Sequence, residues 1–262
     1  MLPLRDENPT RRVPVVTILL ILANVAVYFL VQPNAEDAGA SARFSVERAA
    51  IPCEVVEGRP LTVDEIRATY GAGDDTACDV GSPSSPALFA GKSVWLAVLT
   101  SMFLHGSLLH LGGNMLFLWI FGNNIEDRMG PVGYLLFYLA AGVVATAAHI
   151  AVQPDSTVPV VGASGAIAGV MGAYFVWFPD APILTLFIFF IILFRRISAK
   201  WLLLFWVALQ FLEPFNPNSG VAWVAHVGGF VFGVVVALVL RALGGPRAPD
   251  PRPLPSFGSP YR

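Results

Sequence analysis

Ser164, His226, His110 and Asn114 are the side chains of this 262-residue chain whose types and settings suit chemistry. Ser164 lies in Gly162-Ala163-Ser164-Gly165 and opens an apolar run that ends at Phe178. His226 lies in Ala225-His226-Val227-Gly228-Gly229, inside another apolar run. A serine at a helix start is ordinarily a cap, and capping is the plain alternative here. A buried histidine facing it would make a base facing a nucleophile, the pairing that acyl transfer needs. His110 and Asn114 are four residues apart and share one helical face. Both can donate hydrogen bonds from that face, for chemistry or simply to hold helices together. Gly112 and Gly113, between them, would let another backbone come close.

Bringing Ser164 and His226 together is a task for the glycines around them. Gly165, Gly169 and Gly172 form one small-residue face, and Gly229 and Gly233 form a small-x3-small face on the other run. Such faces permit close helix contact, and packing them sets His226 alongside Ser164. The run from Ser164 to Trp177 would be about 20 Å long as a helix. That is short of a bilayer core of about 30 Å, which places Ser164 below the membrane surface.

The bilayer itself is inferred from composition. The chain is 55% hydrophobic and 13% charged, with a mean hydropathy of +0.66. Soluble domains carry about 25% charged residues, so a disordered chain is excluded and an ordinary cytosolic domain is disfavoured. A formal charge of −2 offers nucleic acid no electrostatic footing. Six runs are read as spans: Val13–Val31, Leu108–Asn124, Val132–Val152, Ser164–Phe178, Trp201–Leu212 and Val221–Leu240. The first is too long for a signal-peptide core of about 7–15 residues and is read as a retained helix. Ile183–Leu193, at eleven residues, reads as an apolar interfacial segment. With the N-terminus and C-terminus inside, eleven of the sixteen basic residues fall on the inner side, as the positive-inside rule requires.

Between the first two spans, residues 32–93 form an outer loop with ten acids, five bases and both cysteines. Thr62-Val63-Asp64-Glu65 reads as a capping box opening a helix that Gly71 would stop. Cys53 and Cys78 suggest a disulfide in an oxidising compartment, with a pair of free thiols as the alternative. Residues 244–262 hold six prolines and no apolar period, and read as a disordered tail. No Cys/His/Asp cluster has metal-ligand spacing and no phosphate-cradling motif occurs, so no cofactor and no metal is implied.

The four motifs together resemble the rhomboid family of intramembrane serine proteases, bacterial type. They are Gly162-Ala163-Ser164-Gly165, Ala225-His226 with Gly229, His110-Leu111-Gly112-Gly113-Asn114, and Glu126-Asp127-Arg128 just after the second span. The likeness runs in order over roughly residues 10–242 and leaves out the acidic loop and the tail. It implies an all-α polytopic membrane protein, a six-transmembrane-helix bundle over residues 13–243 behind a short cytoplasmic N-terminus (1–12). By similarity Ser164 is the nucleophile and His226 the general base of a Ser-His dyad. His110, Asn114 and the Ser164 backbone N–H match the oxyanion donors. Gly162, Gly165, Gly229 and Gly233, with Glu126 and Arg128, match structural positions. The implied substrates are single-span transmembrane proteins in the lipid bilayer, cut in or near the outer leaflet.

The fifth span and the loop at 213–220 match the family's mobile gate, whose aromatics here are Trp201, Phe205, Trp206 and Phe211. Two departures stand out. An aromatic residue often found four after the serine is Ala168 here, and Trp95 is followed by Leu96 instead of arginine. No acidic residue lies near His226, so packing is expected to hold the imidazole. His105 is expected to serve loop packing, and His149 to be an interfacial histidine.

Overall fold

The computed structural model describes residues 2–33, 37–82, 84–188, 192–213 and 221–244. The proline-rich tail beyond Gly244, most of the loop at 213–220 and the middle of the Ile183–Leu193 run lie outside the described residues. The apolar runs fold as helices α1 (Val15–Ala26, continued by a wider turn through Val31), α6 (Leu108–Met129), α7 (Pro131–Val152), α8 (Ser164–Trp177), α9 (Ala199–Gln210) and α10 (Trp223–Ala242). Among the described residues, α7 and α10 are each long and apolar enough to cross a membrane. Helix α6 passes the same test jointly with α5 (Val94–Thr100) and the turn after it, the two bent by 80°. Helices α1, α8 and α9 are shorter apolar helices.

Helix α8 is the axis of the bundle. Every residue from Gly165 to Tyr174 is buried, as expected of a helix apolar on all faces. It packs on α6, α7, α9 and α10. Phe121, Tyr134, Tyr138 and Tyr174 fill the core below the serine.

Helix α1 is held from outside itself. Pro14 precedes it and offers no side-chain cap, so its first amides need other acceptors. The Glu126 carboxylate takes them, accepting at 2.8 Å from Val16 N, Thr17 N and Thr17 Oγ1. Asp127 accepts from the amides of Arg11 and Arg12. The Arg128 guanidinium lies over the Trp177 ring, 4.6 Å from its centroid, a cation–π contact. The Glu126-Asp127-Arg128 stretch thus ties α6 to the start of α1 and the end of α8.

The described part of the Ile183–Leu193 run is β-strand. Strands β2 (Pro182–Ile188) and β3 (Ile192–Ser198) pair antiparallel, from Pro182 opposite Ser198 to Ile188 opposite Ile192. Strand β1 (Leu2–Asp6) adds to β2, giving a three-stranded sheet in the order β1-β2-β3. An eleven-residue apolar run does not distinguish a short helix from a strand by composition, and the third strand arrives from the far end of the sequence.

The loop expected from the sequence to lie outside, called the outer unit below, is a small folded unit of α2 (Ala38–Arg48), α3 (Pro52–Glu57) and α4 (Val63–Ala72). A disulfide joins Cys53 to Cys78, in a core with Val46, Ile51 and Leu61. The capping box forms at Thr62 and Glu65. Gly71 does not stop the helix. It lies inside α4, and Gly73 takes the left-handed terminal position at φ 75°. Glu54 and Lys92 form a buried ion pair, and Lys92 also donates to Val46 O at 2.6 Å.

Glu65 sets an acid limit on this unit. Burial works against its ionised form, but Arg59 and the amides of Thr62 and Asp79 outweigh that and hold the carboxyl at about 2, against 4.5 ordinarily. A depressed folded value means that the stabilisation is complete above the ordinary value and drains away as pH falls toward the folded one. Pepsin cleavage of segment 37–93 is therefore expected to accelerate between about pH 4.5 and 2. Arg59→Met should move that onset upward. Constant susceptibility across the window in both proteins would contradict this account.

Candidate active site

The side chain of Ser164 does not cap its helix. Ala163 occupies the cap position without a side-chain hydrogen bond, and Ser164 is the first helical residue. Its Oγ lies 2.8 Å from His226 Nε2. The approach depends on glycine. A Cβ on Gly229 would overlap the carbonyl oxygen of Gly165, one on Gly233 would overlap that of Gly169, and one on Gly172 would overlap that of Phe230. The helices α8 and α10 therefore touch backbone to backbone, with Ser164 and His226 facing each other at one end of the seam.

The other two residues stand across the same space. His110, Asn114, Ser164 and His226 all line one cavity of about 1080 Å³. Gly162 carries the chain past His110 at φ +126°, a conformation that favours glycine, and a Cβ there would stand 2.9 Å from the His110 ring. Asn114 Nδ2 lies 2.9 Å from His105 Nε2, and the His105 and His110 rings meet edge to face at 5.1 Å. His105 is thus more than loop packing, because it holds the amide of Asn114. Among the described residues no neighbouring backbone comes close to Gly112 or Gly113, since a Cβ on either would meet nothing within 4 Å. His149 is buried and lines the cavity.

The segment that delivers Ser164 is splinted by the outer unit. Val160 N donates to Ala50 O at 2.8 Å, Thr157 N to Asp75 O at 2.9 Å and Cys53 N to Ser156 O at 3.0 Å. Ser101 bridges the two sides, accepting from Ala50 N at its Oγ and from Gly162 N at its carbonyl. Asp75 and Thr76 of the outer unit join the cavity lining.

The imidazole is held by more than packing. Gln210, at the end of α9, places Oε1 2.7 Å from His226 Nδ1. Trp206, one turn earlier, sets its ring 5.6 Å from the imidazole at 37°. Its indole provides the aromatic neighbour that Ala168 cannot. Trp201, Phe205 and Phe211 are instead exposed on α9 and just past its end. Neither Gln210 nor the pairing of Trp206 with His226 carried a signal in the sequence, because both depend on how α9 is rotated against α10.

Ser164 and His226 thus form a serine–imidazole pair at a cavity inside an apolar helical bundle. Residues 92–243 match the family model for the Rhomboid domain. The chain is 32% identical over 157 residues to Rhomboid protease GluP of Bacillus subtilis, covering 59% of this chain and 27% of that protein. It is 39% identical over 82 residues to the chloroplastic Rhomboid-like protein 11 of Arabidopsis thaliana, covering 31% and 29%. It is also 33% identical over 101 residues to the mitochondrial presenilin-associated rhomboid-like protein of Homo sapiens, covering 38% and 27%. The matched part thus spans less than a third of the length of these relatives. The chain belongs to the rhomboid family, and is a helical membrane protein.

Proposed function

We propose that this chain is an intramembrane serine endopeptidase using a Ser164–His226 dyad. The observation that carries the reading is the 2.8 Å contact between Ser164 Oγ and His226 Nε2 at a cavity inside the bundle. Ser164 Oγ attacks the scissile carbonyl while His226 Nε2 takes its proton. The oxyanion is met by the Ser164 N–H, free at the first turn of α8, with His110 and Asn114 as side-chain donors. Collapse breaks the C–N bond, and His226 returns the proton to the leaving amine. Water then attacks the acyl-enzyme, giving up a proton to His226; collapse breaks the acyl C–Oγ bond, His226 returns the proton to Ser164 Oγ, and the carboxyl product leaves.

The substrates in this reading are single-span membrane proteins. A transmembrane helix satisfies its own backbone groups, so it must unwind locally before a peptide bond can reach Ser164. Six spans, both termini on the cytoplasmic side and cutting near the outer leaflet of the cell membrane complete the proposal. It draws support from the charge distribution of the sequence and from the cavity lining, to which the outer unit contributes. An activated fluorophosphonate should label the reconstituted protein at Ser164 and at no other serine. An unlabelled Ser164 in protein shown to be folded would refute the reading.

A further inference from the structure

The hydrogen bonds around Gln210 leave only one way to arrange its amide. The carbonyl of Trp206 can only accept, so Gln210 Nε2 must donate to it, at 3.1 Å. That turns Oε1 toward His226 Nδ1, 2.7 Å away, which must then carry the hydrogen. The remaining ring nitrogen, Nε2, is left with its lone pair facing Ser164 Oγ at 2.8 Å. A histidine tautomer is set by the hydrogen bond its other nitrogen makes. Here the acceptor is a neutral amide, 6% exposed, instead of a carboxylate.

We infer that Gln210 is a positioning residue that holds His226 in the tautomer and orientation able to deprotonate Ser164, and that α9 thereby controls the base. Trp206 and Gln210 are four apart on one face of α9, and both reach the same imidazole. The opposite face carries Trp201, Phe205 and Leu209, all exposed. Among the described residues α9 is packed on one side, and that inward side is the one that orients the base. The acceptor and the indole therefore reach His226 from one helix, and both depend on how α9 rests against α10.

The inference rests on the protease reading for its consequence, though not for its geometry, and the test separates the two. Gln210→Met keeps the length and volume of the side chain and removes the acceptor. Gln210→Glu keeps an acceptor oxygen whether or not it is ionised. In full-length reconstituted protein, Gln210→Met should lower kcat on a single-span reporter by about 10- to 100-fold with KM unchanged, less than loss of the base itself. Gln210→Glu should recover most of that loss. Nitrogen-15 spectra of the four histidines, with His226 assigned by its absence in His226→Ala, should show one tautomer in wild type and Gln210→Glu. Gln210→Met should show a mixture. A single tautomer and wild-type kcat in Gln210→Met would overturn the inference. Tautomer mixing in a protein whose wild type neither cleaves nor takes up fluorophosphonate would instead sink the protease reading and leave the positioning intact.

Discussion

Ser164→Ala is expected to lower cleavage of a single-span reporter by at least about 10⁴-fold, equivalent to about 5.5 kcal/mol of barrier. His226→Ala should cost nearly as much, and the double variant little more than either alone. The reason is that nucleophile and base act as a unit, so removing one leaves the other with nothing to do. The 2.8 Å contact between them makes this a specific expectation for the pair. It does not extend to His149, which lines the cavity without a partner at Nδ1 among the described residues. Cleavage measured in proteoliposomes, with thermal midpoints to confirm folding, distinguishes the cases. Losses that multiply in the double variant would mean that Ser164 and His226 work independently, and the dyad would have to be abandoned.

Gly233→Leu should be the most damaging substitution that touches no reacting group. Its Cβ would fall on the backbone oxygen and carbon of Gly169 and close to Ala173 N. Backbone in the middle of a buried helix cannot swing aside as a flexible side chain can. Overpacking typically costs 1–3 kcal/mol, and this clash should reach at least about 3 kcal/mol. Relief requires α10 to move away from α8, which draws His226 from Ser164. Activity should fall at least about 100-fold along with the thermal midpoint. Gly112→Ala is the matched control. A Cβ there meets nothing within 4 Å, and alanine favours the helix by about 0.5–1 kcal/mol. An unchanged midpoint in Gly233→Leu would show that the two helices do not depend on this approach.

Much of the site could be read without coordinates because its signals are local. A serine opening an apolar run, a histidine inside another and glycines at helical spacing stay visible in any window of a few turns. The roles of Glu126 and His105 were harder. Glu126 could be marked as structural, but its partners Val16 and Thr17 lie more than a hundred residues away. Nothing local to His105 shows that it reaches Asn114.

The sequence by itself determined that the chain is built for a bilayer, where its long apolar helices lie, and which four side chains stand out in them. It could do so because scarcity of charge and the length of apolar runs are properties of consecutive residues in a uniform solvent. Tertiary structure alone decided that Ser164 turns from capping to His226, and that β1 crosses the sequence to complete a sheet. It also decided that the outer unit braces the segment before the serine, and that α9 supplies both the acceptor and the indole for the imidazole. Each of those depends on the rotation or register of one element against another. Such relations are fixed by close packing between residues far apart in the chain, which no local pattern records.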